Sequence, residues 1–213
     1  MRLRHVGSSH DMMREHPLVI KELAEYEKDI TRIFGNDKPV HVEFGSGYGG
    51  YFSSMAKKHK ENNYLAFEWN SKVIVRGMKL LDDEIEELDN FRFVHSDAGK
   101  AIDLFEQHSL DRIYLNFSDP WPKKKHAKRR LTYHTFLRKY EKLLKEGGEL
   151  HFKTDNDDLF QFSLEELQYN GWNMKLVTRD LHSSEFSKDN IMTEYEKKFS
   201  ERGKNINKLI ATK

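Results

Sequence analysis

The 213-residue chain has no cysteine. Neither a disulfide framework nor a thiolate metal site is therefore possible, which fits a protein of the reducing cytoplasm. The eleven histidines are scattered without the regular spacing of metal ligands. We expect a cytoplasmic protein without a bound metal.

Long apolar runs are also missing. A helix that crosses a membrane needs about 20 consecutive apolar residues, and no segment approaches that length. The segment Met1–His5 has two arginines in place of the apolar core of a signal peptide. A membrane-bound protein is not expected.

Neither sign of charge is in excess, because 36 basic residues face 35 acidic ones and the formal net charge is only +1. Any affinity for a polyanion must then come from a local patch. One such patch stands out, since six of the eight residues 123–130 are Lys or Arg. An even distribution would place roughly one or two there. The patch could be only a solvated surface, but the residues next to it in the sequence favour phosphate binding.

Only four prolines occur, and Pro120 and Pro122 lie directly before this basic segment. Because proline has a fixed φ and no N–H, the apolar strand over 113–115 must end here. The residues before each proline, Asp119 and Trp121, are expected to be extended. Trp121 could stack on a base or cover the core. A carboxylate and an indole beside cationic side chains point to nucleic acid.

Apolar strands alternate with helices along the chain, which predicts an α/β fold with a parallel, doubly wound sheet in one domain over 1–213. Residues 1–16 are predicted to be a mobile basic arm. Strands are predicted at 40–44, 64–67, 91–95, 113–117, 149–153 and 174–179. Helices are predicted at 17–34, 51–60, 73–88, 100–105, 133–144 (capped by Gly147-Gly148) and 156–169. Residues 181–192 are predicted to be a loop, and 193–199 with 206–211 a final hairpin.

Glycines join the first strand to the next helix, at Gly45, Gly47, Gly49 and Gly50. An ordinary tight turn could explain them, but so could a backbone that approaches a ligand. Glu43 precedes the turn, and a carboxylate there would oppose a dinucleotide's pyrophosphate. A cationic ligand without phosphate, such as S-adenosylmethionine, suits Glu43 better.

Three further carboxylates end predicted strands. Glu68 stands where nucleotide-binding sheets place an acceptor for a ribose diol. Asp97 could meet an adenine amino group, cap a helix, or do both. Asp119 ends the fourth strand, so all of these groups are expected at one edge of the sheet, where such folds bind ligands. Asp119 is the strongest single candidate.

Taken together, the motifs closely resemble those of the bacterial tRNA (guanine-N7)-methyltransferase family, a class I fold that uses S-adenosylmethionine. The matching segments are VEFGSG at 42–47, YLNFSDPWPKK at 114–124, KRRLTY at 128–133, HFKTDN at 151–156 and MTEYEKKF at 192–199. They follow the family's order over nearly the whole chain. The block from 116 to 133 is very specific and the glycine turn is not.

The resemblance implies a Rossmann-like sheet of seven strands, the last antiparallel, with helices on both faces. It implies methyl transfer from S-adenosylmethionine to N7 of a guanine in the tRNA variable loop, by a monomer or homodimer. The cofactor-site positions that it implies are Glu43, Gly45, Gly47, Glu68, Asp97 and Asp119, and Asp119 also matches the catalytic position. The substrate-site positions are Lys123, Asp155, Thr193, Glu194, Tyr195 and Glu196. The RNA-contacting positions are Lys125, His126, Ala127, Lys128, Arg129 and Arg130.

Three other functions remain open at this point. A methyltransferase acting on an exocyclic base amine is the nearest, because Asp-Pro-Trp-Pro loosely resembles the motif of such enzymes. A nicotinamide dehydrogenase would follow from the glycines alone, but it would explain neither Glu43 nor the basic segment. A non-catalytic RNA-binding protein would need no cofactor.

Overall fold

The structure, a computed structural model, describes residues 8–21, 23–26 and 28–213. Its strands are β1 (Val40–Phe44), β2 (Asn63–Glu68), β3 (Phe91–His95), β4 (Leu110–Asn116), β5 (Leu144–Thr154), β6 (Asn173–Thr178) and β7 (Asn207–Thr212). Its helices are α1 (Ser9–Glu15), α2 (Gly50–Lys58), α3 (Ser71–Leu81), α4 (Ala98–Ala101), α5 (His134–Leu143), α6 (Asp157–Tyr169) and α7 (Glu194–Ser200).

The strands form one seven-stranded sheet in the order β3-β2-β1-β4-β5-β7-β6. Neighbours from β3 to β5 are parallel, whereas β7 is antiparallel to both β5 and β6. The predicted sheet with an antiparallel last strand is confirmed. The strand order reverses between β1 and β4, and ligands of doubly wound sheets bind at such a reversal.

Hydrophobic cores lie on both faces of the sheet. Side chains alternate between the faces along a strand, so Val42 and Phe44 belong to one core. His41 and Glu43 consequently point to the other face, whose core contains Phe52 of α2. All five residues of β1 are buried. Glu43 is therefore a carboxylate in an apolar environment.

The helix predicted over 17–34 is wrong. Val19 pairs with Phe93 as in a parallel sheet, and the Ile20 N–H donates to the Phe93 carbonyl at 3.0 Å. Two short 3₁₀ turns follow, at Leu23–Tyr26 and Ile30–Phe34. The open edge of β3 offers backbone partners, and this pairing outweighs the helical spacing of the apolar residues.

The hairpin predicted near the end of the chain is also wrong. Glu194–Ser200 is helix α7, and β7 pairs with β5 and β6 instead. The Thr193 hydroxyl accepts the Glu196 N–H, and the Glu196 carboxylate accepts the Thr193 N–H. This capping box, Thr-x-x-Glu, was a helix signal in the sequence.

Other boundaries differ in smaller ways. Helix α3 ends at Leu81, and the rest of the predicted 73–88 helix is a 3₁₀ turn over Asp82–Glu87. Gly147 and Gly148 lie within β5 and do not cap α5, because the chain is already extended at Leu144.

Part of the predicted arm is ordered structure. Residues Ser9–Glu15 form α1, which has a Ser8–Asp11 capping box and a buried Met13. The remaining arm residues 1–7 lie outside the described part of the chain. No helix in that described part is long and apolar enough to cross a membrane.

Candidate active site

A cavity of about 720 Å³ opens at the carboxyl ends of β1, β2 and β4. This volume is in the range of small-molecule sites. It brings together eleven residues that the sequence predicted for a site. They are Glu43, Gly45, Gly47, Glu68, Asp97, Asp119, Lys128, Arg129, Thr193, Glu194 and Tyr195. Segments more than 150 residues apart therefore share one site.

The glycine turn leaves space beside the cavity. Gly45 and Gly47 have φ values of +80° and +58°, which favour glycine, and no atom of the described residues lies within 4 Å of where a Cβ would stand. At Gly49, which also has positive φ, a Cβ would lie 2.5 Å from the Phe93 ring. The first two glycines thus keep the backbone accessible, and the third permits the turn to pack on the core.

Glu43 is only 2% exposed and lines the cavity. Its Oε1 accepts a hydrogen bond from Asn116 Nδ2 at 2.8 Å, whereas its Oε2 is buried with no partner among the described residues. Burial raises the pKa of Glu43 to about 8, although the Asn116 hydrogen bond opposes the shift. A buried carboxylate with a free oxygen is suited to a cationic ligand.

Two more polar atoms of the cavity lining lack partners. Ser46 Oγ and Asn116 Oδ1 are buried, and neither has a hydrogen bond within the described structure. Buried polar groups are nearly always paired, so three free oxygens in one cavity indicate a ligand. Asn116 was not singled out by the sequence, although its place at the end of an apolar strand, three residues before Asp119, was a signal for it.

Glu68 and Asp97 face the same cavity from β2 and from the N-terminus of α4. The Glu68 carboxylate accepts the N–H of Gly47 at 3.2 Å and that of Asn70 at 2.8 Å, so it also holds the glycine turn. Burial raises the pKa of Glu68, against the effect of these hydrogen bonds. Asp97 accepts the Gly99 N–H at 2.8 Å and caps α4, as one of its two predicted roles requires.

Asp119 lies on an exposed, strained loop of the cavity wall. Phe117 and Trp121, on either side of it, have φ values of +52° and +41°. The extended conformation predicted for Trp121 is therefore wrong. Each such backbone costs about 1–3 kcal/mol and persists only where surrounding contacts hold it. Asp119 has no hydrogen-bond or ion-pair partner in the described part of the chain, so its carboxylate is available to a ligand.

The contacts that hold this loop come from the basic segment. Arg130 donates from Nε to the Pro120 carbonyl and from a terminal nitrogen to the Trp121 carbonyl, both at 3.1 Å. The Arg129 guanidinium lies 4.7 Å from the centre of the Trp121 ring, and His126 meets the ring edge. Arg130 is thus occupied by the protein backbone, while Lys128 and Arg129 reach the cavity.

On another side, α7 presents its first residues to the cavity. Thr193, Glu194 and Tyr195 line it, and the exposed Tyr195 ring stacks with Phe117 and Phe199 at centroid distances of 6.5 and 6.4 Å. Glu196, predicted as a substrate contact, is fully buried. Its position supports a structural role.

Glu196 is held by a paired network. One carboxylate oxygen meets Lys153 Nζ at 2.6 Å, and the other meets Asn190 Nδ2 at 2.5 Å and His182 Nε2 at 2.8 Å. Burial opposes ionisation of Glu196, but the Lys153 ammonium and these hydrogen bonds lower its pKa. This network fixes α7 to β5.

Besides Arg130 and Glu196, five predicted residues lie outside the lining. Lys123 and Lys125 are exposed on the loop and the 3₁₀ turn that follow Trp121, and Asp155 is half-buried after β5. His126 and Ala127 belong to the same turn. Their predicted contacts with substrate or RNA stay predictions.

The opposite edge of the sheet has a second cavity of about 570 Å³. Its charged groups are largely paired with each other, as in Arg112–Glu149 at 3.0 Å and Lys145–Asp111 at 2.8 Å. Among the described residues no cluster of His, Cys, Asp and Glu side chains could hold a metal. The carboxyl edge is the better candidate site.

Comparisons with known proteins identify relatives of this chain. Residues 37–209 match the family described as "Putative methyltransferase". A tRNA (guanine-N(7)-)-methyltransferase of Brevibacillus brevis is 43% identical over 212 residues, covering 100% of this chain and 98% of that protein. Another of the same name, from Lachnoclostridium phytofermentans, is 42% identical over 99% of this chain and 98% of its own length. This chain belongs to the tRNA (guanine-N7)-methyltransferase family.

Solved structures of more distant methyltransferases have a similar fold. An antibiotic-related methyltransferase superposes with a TM-score of 0.61 at 18% identity, covering 86% of this chain and 90% of that one. The 16S rRNA methyltransferase KamB superposes with a TM-score of 0.63 at 10% identity, covering 86% and 92%. At such identities only the class I methyltransferase fold is shared.

Proposed function

We propose that this protein transfers a methyl group from S-adenosylmethionine to N7 of a guanine in the variable loop of tRNA. The observation that carries the proposal is one cavity lined both by the carboxylates at the strand ends and by Lys128 and Arg129 of the basic segment. The names of the two relatives support the tRNA substrate and the guanine N7 target. The variable loop rests on the motif resemblance.

The cavity fits the cofactor in its distribution of polar atoms. The free Glu43 Oε2 would accept the amino-acid ammonium, with Asn116 Oδ1 and Ser46 Oγ nearby in the lining. Glu68 at the end of β2 would accept the ribose hydroxyls, and Asp97 an adenine amino group. A cation beside Glu43 would favour its ionised form, so binding would lower the pKa of this carboxyl group.

When bound, S-adenosylmethionine supplies a methyl group on a positively charged sulfur and leaves as S-adenosylhomocysteine. Guanine N7 has a lone pair and no proton, so the protein need not supply a general base. Its main task is to hold N7 in line with the methyl group. The rigid loop held by Arg130 and the α7 edge held by Glu196 serve this positioning.

Asp119 is proposed as the catalytic residue. Positive charge moves onto the guanine ring as N7 is methylated, and a fixed carboxylate near the ring stabilises that charge. The same carboxylate could instead accept the guanine N1–H and N2 amino group and so orient N7. Glu194 lines the cavity as a further acceptor for this edge of the base.

The decisive experiment is methyl transfer from labelled S-adenosylmethionine to unmodified tRNA, with nucleoside analysis of the digest. We expect the label in 7-methylguanosine, and none when the variable-loop guanine is replaced by adenine. Label in another nucleoside, such as one methylated on an exocyclic amino group, would show that guanine N7 is not the target atom. Label that persists after the replacement would refute the target position alone.

The role of Asp119 can be tested by Asp119→Asn, which keeps the shape and removes the charge. We expect kcat to fall by about 10²–10³-fold, the usual effect of losing one electrostatic group at a transition state. The affinity for tRNA should change little, because phosphates bind elsewhere. Asp158→Asn, at an exposed carboxylate in the first turn of α6, is the matched control. Normal turnover in Asp119→Asn would remove this residue from the chemistry.

A further inference from the structure

A second group of cations begins at the cavity rim and follows α7. Between 197 and 208 there are five Lys or Arg residues, Lys197, Lys198, Arg202, Lys204 and Lys208, and one carboxylate, Glu201. The first four are exposed. This segment is separate in the chain from the basic segment 123–130.

The direction of α7 is set by its buried side. Thr193 and Glu196 face inward and are held by the capping box and by Lys153. Tyr195 faces outward at the cavity rim. Lys198 lies one helical turn beyond Tyr195, and Arg202 one turn further, in the turn that ends the helix. These three residues form a row that leads away from the cavity.

The cations of this row are available to a partner. Neither Lys198 nor Arg202 forms an ion pair with a carboxylate within the described ranges. The exposed Lys175, by contrast, is paired with Glu149 at 3.1 Å. The row also starts at an exposed tyrosine ring that can stack on a base. Cations next to such a ring suit a nucleic acid better than a protein surface.

We propose that Tyr195, Lys198 and Arg202 form a second RNA-binding row, which holds the tRNA backbone next to the target base while the 123–130 segment holds it at Lys128 and Arg129. This inference rests on the proposed function. Lys128 and Arg129 line the cavity, and the α7 row starts at Tyr195 in the same lining. The phosphates on both sides of a nucleotide that enters the cavity would therefore have cations nearby. Binding from two sides would keep the base in the cavity after it leaves its stack.

The test is the salt dependence of tRNA binding to the full-length protein. We expect Lys198→Ala with Arg202→Ala to weaken binding about tenfold at 0.1 M salt and to reduce the slope of log K against log salt by about 1–2. Lys198→Arg with Arg202→Lys keeps the charge and should keep the slope. The matched control is Arg138→Ala with Lys142→Ala, exposed on α5. It should bind as the wild type does.

Binding of S-adenosylhomocysteine checks the fold of each variant and should not change. Suppose that the wild type binds and methylates tRNA but that the slope is unchanged in Lys198→Ala with Arg202→Ala. The second RNA-binding row would then be refuted, and the proposed function would stand. An equal loss of tRNA affinity in the α5 control would also refute the second row, because the effect would then come from the lower net positive charge and not from the position of the cations. Failure of the wild type to bind tRNA would instead refute the proposed function.

Discussion

Two buried glutamates, 153 positions apart in sequence, have opposite surroundings. Glu43 at the cavity has one hydrogen bond and a free oxygen, whereas Glu196 under α7 has Lys153, Asn190 and His182 as partners. The pKa of Glu43 is raised to about 8, and that of Glu196 is lowered. Both side chains are almost fully buried, so burial alone does not decide their ionisation. The partners decide it.

The contrast indicates that Glu43 serves ligand binding and that Glu196 supports the structure around the cavity. The cavity leaves polar atoms unpaired, which destabilises the protein without its ligand and prepares it to bind one. The Lys153–Glu196 network has its charges paired and holds the neighbouring α7 in place. Its position explains how a short helix of seven residues can present Thr193, Glu194 and Tyr195 at fixed places.

The largest effect should come from breaking the supporting pair. Glu196→Ala leaves the Lys153 ammonium buried without its carboxylate, and such losses cost about 3–5 kcal/mol. We expect a decrease of that size in the free energy of unfolding, measured by denaturant titration at pH 7.

The double variant Lys153→Met with Glu196→Met provides the control. With no charge left unpaired, it should recover a large part of the stability that Glu196→Ala loses. A loss below about 1 kcal/mol in Glu196→Ala, or a double variant less stable than the single one, would contradict a supporting ion pair.

A substitution at the cavity is expected to raise the free energy of unfolding. Glu43→Gln keeps an oxygen for Asn116 and removes the buried acid, so the ligand-free protein should become more stable by roughly 2–3 kcal/mol at pH 7. The same change should weaken S-adenosylhomocysteine binding strongly, because the ammonium loses its partner. Calorimetry and thermal unfolding measure the two effects on one sample.

The stability gained in Glu43→Gln should depend on pH in a defined way. Since the pKa of Glu43 is raised in the folded state, the wild type loses stability relative to Glu43→Gln as pH rises from about 4.5 to 8. The gain should therefore fall below about 1 kcal/mol near pH 5. A gain that is constant from pH 5 to 8 would show that ionisation of Glu43 is not its cause.

A smaller effect should follow from removing the cap of α7. Thr193→Ala loses the hydroxyl that accepts the Glu196 N–H, a change worth about 1 kcal/mol. Thr193→Ser keeps the hydroxyl and should unfold at nearly the wild-type midpoint. Equal losses in both variants would mean that the methyl group matters and the cap does not.

The site was largely predictable because its groups follow strands. Glu43, Glu68 and Asp119 each stand at the end of an apolar strand, and parallel strands end at one edge of a sheet. Helix α7 was predictable in principle from the capping box of Thr193 and Glu196, but the segment was predicted as one strand of a hairpin. The role of Asn116 depends on β1 and β4 being neighbours, which local sequence does not state.

Sequence alone determined the alternation of strands and helices from β1 to β6, the carboxylates at the strand ends, the basic segment and the family resemblance, because these depend on residue type and spacing. Tertiary structure alone decided that Val19 pairs with β3, that Arg130 holds the backbone of the loop, and that Glu196 is buried against Lys153. Those outcomes depend on which residues meet across the fold, where one long-range hydrogen bond or ion pair outweighs a local preference.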